Sequence, residues 1–367
     1  MKHACIAIVG PRIWRFSVLA LLVVGSISAA AITVTGIVVD PDDAPAPGVT
    51  VSTSSHEAVT GEDGAFRLEG LDAGDLLLRL AGDTGEGHVR VTIDEPETSL
   101  HLTYPVVTTV VLLHDNDTHF NYNHIEAFEG AIHDVRNRYE NVYLLSAGDF
   151  FVRHADRWHK PNYTDFYRET CFFMIDAMNA IEYDVATLGN HELDYIEGYT
   201  REALERAEFP LLGANIDLET DNVPPLKPYV VFETDNELSI AVLGITRRSG
   251  GTEGVEMRDF HETAQAYTPL AEEHNAYIAL THIGLNADRE LAAAVPALDV
   301  IIGGHSNHVL EEGELINDVL VAMAGGPPSG HRHAADPEWP KYLGKVTLTF
   351  ENDRLADKKA RLMTFQD

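Results

Sequence analysis

The chain has 367 residues, of which 45% are hydrophobic and 23% charged, so it is longer than a typical domain and has an ordinary globular composition. This excludes a disordered chain, and the excess of 58 acidic over 26 basic residues, a net charge of −32, argues against nucleic acid or anionic lipid as a partner. Only seven of the basic residues are Lys, and an acidic, Lys-poor surface is typical of proteins adapted to salt.

The first 31 residues are predicted to be a signal peptide. Lys2, Arg12 and Arg15 form a positive start, residues 16–27 are apolar, and residues 29–31 are small, as cleavage requires. A retained membrane anchor is the alternative, but the apolar run of about a dozen residues is shorter than the roughly 20 that span a bilayer. We therefore expect a periplasmic or secreted protein with no membrane attachment after cleavage, with one cysteine, no internal disulfide and a charge of −35.

Residues 32–104 are predicted to form a small antiparallel β-sandwich without helices, because short alternating runs are separated by turn signals. The sequences GIVVD at 36–40, PGVTV at 47–51 and TGEDGAF at 60–66 resemble the carboxypeptidase regulatory-like family, which implies a transthyretin-like sandwich. The segment contains no cluster of metal ligands or paired carboxylates. We therefore expect a spacer or adhesion module, whose partner would lie at the cell surface. The predicted strands are 33–39, 48–52, 65–68, 76–80 and 89–93.

Residues 105–367 are predicted to form a layered α/β catalytic domain, because β-branched runs alternate with helical periodicity. The run 106–113 is almost continuously apolar, as expected of a strand buried on both faces. Ile125, Phe128, Ile132 and Val135 share one helical face. Further strands are predicted at 142–145, 184–188, 240–245, 277–280, 300–302 and, as the last strand, 342–350; further helices are predicted around 166–179 and 198–207.

Polar motifs follow five of these predicted strands. Loops beyond the carboxyl ends of such strands converge, so the motifs should form one site. Their Asp, His and Asn side chains offer oxygen and nitrogen ligands without thiolate, which suits Mn, Zn or Fe. One carboxylate shared by two ions can hold them about 4 Å apart, where they clamp a phosphoryl group and activate a water. The motifs are HDNDTH at 114–119, GD at 148–149, GNHELD at 189–194, TH at 281–282 and GGHSNH at 303–308.

In this order the motifs resemble the calcineurin-like metallophosphoesterase superfamily, and residues 113–119, 174–179, 189–194 and 211–216 are similar to its 5'-nucleotidase branch. The resemblance runs from about residue 107 to residue 350. It implies two divalent transition-metal ions, Mn, Zn or Fe. The implied ligands are Asp117 and His119 for the first ion, Asp149 for both, and Asn190, His282 and His305 for the second.

The same resemblance implies roles for three more residues. His191 and Asp194 match the pair that polarises the phosphate and assists the leaving group, a role suited to a protonated His held by a carboxylate. Asn307 stands where the branch has a His or a Gln completing the first site. Its amide oxygen is a weaker ligand than imidazole, and His308 is the alternative if the loop shifts.

Other polar residues near the motifs have simpler interpretations. Glu192 is expected to orient its neighbours, Asp115 and Asn116 to shape a turn, and Asp149 taken alone could equally cap a helix. The remaining loop residues fall into two groups: solvated histidines (His154, His159, His331 and His333) and arginines that either balance charge or contact a phosphate (Arg153, Arg247 and Arg248).

The motifs together indicate an exported binuclear-metal phosphohydrolase that acts on nucleotides or other small phosphoesters. Two alternatives stay open: a cell-surface binding protein on the same scaffold with little turnover, and a sulfur-ester hydrolase of the same branch. The branch carries a second, C-terminal domain with base-stacking aromatic residues, whereas 17 residues follow residue 350 here. We therefore expect weak base selectivity, with any replacement contacts coming from the loop 150–162.

Overall fold

The structure is a computed structural model that describes residues 32–119, 124–151, 163–193, 198–247, 253–326 and 342–365. Its N-terminal part consists of strands alone, in two sheets of order β4-β1-β7 and β3-β2-β5-β6, which confirms the predicted all-β sandwich. The prediction that all its strands are antiparallel is wrong, because β1 and β7 pair in parallel. Two of the strands, β3 and β7, were not predicted. The strands are β1 (Ile32–Val39), β2 (Thr50–Ser52), β3 (Glu57–Val59), β4 (Ala65–Leu71), β5 (Gly74–Gly82), β6 (Gly85–Ile93) and β7 (Glu97–Thr103).

The rest of the described chain alternates strands with helices. The strands are β8 (Val107–Asp115), β9 (Asn141–Ser146), β10 (Val185–Thr187), β11 (Leu211–Leu212), β12 (Ile216–Leu218), β13 (Tyr229–Glu233), β14 (Ser239–Thr246), β15 (Val255–Met257), β16 (Ala276–His282), β17 (Val300–Ile302), β18 (Glu314–Ile316), β19 (Val319–Ala322), β20 (Tyr342–Glu351) and β21 (Arg354–Thr364). The helices are α1 (Ile125–Arg136), α2 (Tyr163–Ala180), α3 (Asn190–Leu193), α4 (Gly198–Leu204), α5 (Phe260–Ala266), α6 (Leu270–Glu273) and α7 (Leu285–Ala294).

Two mixed six-stranded sheets pack face to face between two layers of helices. Their orders are β11-β10-β9-β8-β20-β21 and β13-β14-β16-β17-β19-β18. Along β8, Val110 and Leu112 join the core between the sheets, whereas Val111 and Leu113 pack toward α1 and α2. Alternate side chains of a strand point to opposite faces, so a strand buried on both faces must be apolar throughout. The predicted layered α/β fold is therefore confirmed.

The predicted apolar face of α1 is confirmed, since Phe128, Ile132 and Val135 are buried and Ile125 packs against the same core. The prediction that 342–350 forms the last strand is wrong. The chain turns at Asn352 and returns as β21, which pairs with β20 over its whole length. β21 contains no apolar run, because one of its faces meets solvent and carries charged residues. Its sequence therefore does not indicate a strand.

The N-terminal sandwich contacts the α/β part through the turn between β20 and β21. Asn352 Oδ1 accepts a 2.9 Å hydrogen bond from Val106 N, and its Nδ2 donates to Thr84 Oγ1 at 2.9 Å. His88 Nδ1 lies 2.7 Å from Asp353 Oδ2. Among the described residues, no helix combines the length and the apolarity that crossing a membrane requires.

Candidate metal centre

The polar motifs that follow five strands lie together at one edge of the two sheets. The loop after β8 carries Asp117 and His119, and the loop after β9 carries Asp149. The second sheet contributes His282, the last residue of β16, and His305, after β17. The carboxylate of Asp149 belongs to two sets of donor atoms, one with His119 and His191 and the other with His282 and His305. Within each set these atoms lie within 4.8 Å of one another.

The backbone at this edge adopts conformations that few residues tolerate. Asp117, His119, Asp149, His305 and Asn307 all have positive φ, between 50° and 77°. Such φ values are uncommon for residues other than glycine, and Asp, Asn and His accept them more readily than most. Their concentration in the predicted ligand loops is the pattern expected of a functional site, where surrounding structure holds a strained backbone in place.

Glycines let these loops approach closely. A Cβ at Gly189 would collide with Asp149 Oδ1, and one at Gly304 would lie 2.6 Å from the Ala147 carbonyl and 2.8 Å from His282 Nδ1. The glycines of the GN and GGH motifs are therefore required by packing between loops, independently of any contact with a ligand.

Hydrogen bonds orient the histidine rings. His282 Nδ1 lies 2.7 Å from the Ala147 carbonyl and His119 Nδ1 lies 3.0 Å from the Phe151 carbonyl. Each ring therefore donates from Nδ1 and turns Nε2 toward the centre, as metal-binding histidines generally do. His282 Nε2 is 3.1 Å from Asp149 Oδ2, and His119 Nε2 is 3.8 Å from Asp117 Oδ1.

Several buried atoms at the centre lack hydrogen-bond partners within the described part of the chain. They are Asp117 Oδ1, His305 Nδ1 and Asn307 Oδ1. Buried polar atoms are normally satisfied, because leaving one unpaired is costly. Carboxylate, imidazole and amide donors converging without partners fit divalent cations of the Mn, Zn or Fe type.

The electrostatics of the centre also favour positive charge. Burial alone would raise the pKa of Asp149, but the charges of His282 and His191 hold it well below its usual range. Burial lowers the pKa of His282, but the carboxylates of Asp149 and Asp117 raise it more, to about 10. Burial lowers the pKa of His305 to about 4, so this ring is neutral at pH 7. Two buried carboxylates thus hold a proton on His282 that a bound cation would replace.

Glu192, expected to orient its neighbours, and Asn116, expected to shape a turn, both form hydrogen bonds with the ligand loops. Glu192 is buried and accepts hydrogen bonds from Gly189 N at 2.7 Å, Asp149 N at 3.0 Å and Phe151 N at 2.7 Å. Burial and the charge of Asp149 raise the pKa of Glu192 to about 8, although the backbone donors oppose this. Asn116 Nδ2 donates to Asp117 Oδ2 at 2.7 Å.

The structure distinguishes Asn307 from its neighbour His308. The Asn307 amide oxygen is buried. Gly326 packs against the side chains of both Asn307 and Asp117, so these two side chains lie beside each other. His308 is exposed, and its Nδ1 lies 2.9 Å from Ser306 Oγ. The geometry therefore favours Asn307, as the resemblance implies.

Some of the remaining predicted residues lie near Asp149 or His282, and others fall outside the described residues. Asn190 is buried at the start of α3, and His191 N donates to Asp149 Oδ1 at 2.8 Å. Arg247 is exposed after β14, with its backbone N–H donating to the His282 carbonyl at 3.2 Å. Asp194, the predicted partner of His191, lies outside the described residues, as do Arg153, Arg248, His154, His159, His331 and His333.

The two-sheet fold with Asp, His and Asn at its strand ends defines a metallophosphoesterase. The sequence matches the calcineurin-like phosphoesterase family over residues 110–308, more than half of the chain, and the chain belongs to this family. Residues 33–104 match the carboxypeptidase regulatory-like domain.

Among curated proteins, the chain is similar to the trifunctional nucleotide phosphoesterase protein YfkN of Bacillus subtilis, with 29% identity over 66% of this chain and 18% of that protein. It is 28% identical to the 5'-nucleotidase of Diplobatis ommata, over 68% of this chain and 47% of that protein. It thus spans half or less of the length of these relatives. The crystal structure of a 5'-nucleotidase precursor from Thermus thermophilus shares the fold, with a TM-score of 0.57 and 23% identity over 70% of this chain and 54% of that one.

Proposed function

We propose that this protein is a binuclear-metal phosphohydrolase of the 5'-nucleotidase type, which hydrolyses nucleotides or other small phosphoesters. The observation that carries the proposal is the Asp149 carboxylate, which lies within 4.8 Å of a donor atom of His119, a proposed ligand of the first ion, and of donor atoms of His282 and His305, proposed ligands of the second. One carboxylate shared between two cation sites is the arrangement that clamps a phosphoryl group in two-metal hydrolases.

The residues divide between two cation sites in this proposal. Asp117, His119 and Asn307 would hold the first ion, Asn190, His282 and His305 the second, and Asp149 both. When bound, divalent ions of this type polarise phosphoryl oxygens and make a water nucleophilic at neutral pH. The protein itself supplies the orientation, because the carbonyls of Ala147 and Phe151 fix the rings of His282 and His119.

His191 is proposed to act on the substrate from beside the centre. Its backbone is fixed by the hydrogen bond to Asp149 Oδ1, and its Nε2 lies 3.6 Å from Asp149 Oδ2. A protonated His191 ring can stabilise negative charge developing on the leaving oxygen. Asp194 is proposed to assist by orienting this ring.

The proposal extends to the organisation and location of the chain. We propose a cleaved leader at 1–31, a β module at 32–104, a catalytic domain at 105–367 and a periplasmic or secreted site of action. Relatives named as 2',3'-cyclic-nucleotide 2'-phosphodiesterase/3'-nucleotidase and 5'-nucleotidase support a nucleotide as substrate. A cell-surface partner of the β module stays a prediction.

Replacement of the shared carboxylate tests the proposal. We expect the purified protein to contain two transition-metal ions by elemental analysis and to hydrolyse p-nitrophenyl phosphate and AMP. Chelation should abolish this activity and Mn²⁺ should restore it. Asp149→Asn should lose most of both ions and nearly all turnover, whereas the control Asp134→Asn, at an exposed acid on α1, should retain both. Two ions at full occupancy in Asp149→Asn would refute the shared site, and two ions without turnover in the wild type would favour the binding-protein alternative.

A further inference from the structure

A buried carboxylate that the sequence motifs do not contain lies behind the second set of metal ligands. Asp288 belongs to the first turn of α7, and its side chain has no solvent exposure. A carboxylate is costly to bury without charge partners and full hydrogen bonding. Its position therefore needs a structural reason.

The carboxylate contacts the ends of both strands that carry the second-site histidines. Asp288 Oδ1 accepts a 2.6 Å hydrogen bond from Thr281 Oγ1, and Thr281 immediately precedes His282. Asp288 Oδ2 lies against Gly303, two residues before His305, where a Cβ would collide with it. This oxygen has no hydrogen-bond partner within the described ranges.

The start of α7 contacts the same two loops at further points. Leu285 N donates a 2.9 Å hydrogen bond to Ser306 Oγ, and a Cβ at Gly284 would lie 3.4 Å from His305 Cδ2. His305, a proposed metal ligand, belongs to the loop that α7 contacts at these points. The position of α7 therefore sets where the His305 loop can lie.

We propose that Asp288 is a positioning residue for the second metal site, tying the end of β16 to α7 and supporting the end of β17. The hydrogen bond to Thr281 and the packing against Gly303 would together hold His282 and His305 at the spacing that one ion requires. The inference rests on the proposed binuclear centre. It predicts that loss of the bond weakens the second cation site more than the first, because the ends of β16 and β17 carry His282 and His305, whereas Asn307 is the one proposed first-site ligand on these two loops.

Titration of Mn²⁺ into the chelator-treated protein by calorimetry tests this role. Asp288→Ala should weaken the second site about 10–100-fold, the range typical of residues that support metal ligands, and should weaken the first site several-fold less. Asp288→Asn keeps an acceptor for Thr281 and should bind both ions within about threefold of the wild type. The control Glu290→Ala removes an exposed acid from the same helix and should change neither site.

Two further variants keep the test decisive. His282→Ala identifies which binding step belongs to the second site. Thr281→Val removes the same hydrogen bond from its other end and should reproduce the selective loss if Asp288→Ala fails to fold. Wild-type affinity at both sites in Asp288→Ala or Thr281→Val, or equal loss at both, would overturn the positioning role. A wild-type protein that binds no Mn²⁺ would overturn the binuclear centre itself, a result distinguishable from failure of the Asp288 variants alone.

Discussion

Glu192 offers the sharpest test of how the ligand loops are held. Its Oε2 accepts from both Gly189 N and Asp149 N, and its Oε1 accepts from Phe151 N. In Glu192→Gln one of these oxygens becomes an NH₂ group, which faces a backbone N–H and cannot accept from it. At least one hydrogen bond to a buried charged group is lost, which corresponds to about 1.5–3 kcal/mol of unfolding free energy.

This loss is opposed in the metal-free protein, because Glu192 is buried beside Asp149 and its raised pKa means that the folded chain disfavours the ionised carboxylate, a penalty that Gln removes. At pH 9, where the wild-type carboxylate is ionised, the melting temperature of metal-free Glu192→Gln should therefore not fall below that of the wild type. Because Glu192 fixes the backbone of Asp149, Mn²⁺ affinity at pH 7.5 should fall about 10–100-fold.

Glu169→Gln, at an exposed position on α2, is the matched control and should change neither quantity. A Glu192→Gln protein that binds Mn²⁺ within twofold of the wild type would refute this account of the loops. A metal-free Glu192→Gln protein that melts several degrees below the wild type at pH 9 would instead contradict the expected relief of the buried charge and leave the positioning role intact.

Three further outcomes are expected. His191→Ala should lower kcat by about 10²–10⁴ with both metals retained, and loss of metal in elemental analysis would instead make His191 a ligand. His114 is buried in β8 with its pKa lowered from 6.5 to about 3, so the unfolded chain binds more protons between these values and stability falls as pH drops below 6.5. From pH 7 to pH 5 this residue should remove about 2 kcal/mol, and denaturant titrations of His114→Gln should show a shallower loss; an unchanged slope would contradict this. The melting temperature should rise between 0.01 and 1 M NaCl, because salt screens the self-repulsion of a chain with a net charge of −32, and a flat or falling curve would argue against salt adaptation.

Local sequence patterns were sufficient to predict the layers of the fold and to nominate residues that the structure brings together at the candidate centre. The apolar run of β8 and the spacing of Phe128, Ile132 and Val135 depend on local periodicity, which a chain displays without any knowledge of its tertiary contacts. The Asp, His and Asn residues after five strands could be grouped because strand ends of this kind converge at one edge.

The support of the centre, in contrast, depends on contacts between distant parts of the chain. The bonds from Glu192 to three backbone N–H groups, the ring-orienting carbonyls of Ala147 and Phe151, and the contact of Asp288 with Thr281 depend on the paths of separate loops. Backbone carbonyls and amides occur at every position, so no sequence pattern marks those that a folded chain brings to a ligand.

The same reason explains why the sequence alone could not decide between Asn307 and His308 as the metal ligand. Asn307 and His308 are adjacent and both can coordinate a metal, but the positive φ of Asn307 and the close approach of Gly326 direct the amide beside Asp117 and leave the imidazole exposed. β21 was missed because its outward face is charged, and its pairing with β20 depends on the turn at Asn352. Local pattern determines which residues can serve, whereas long-range packing determines which of them reach the site.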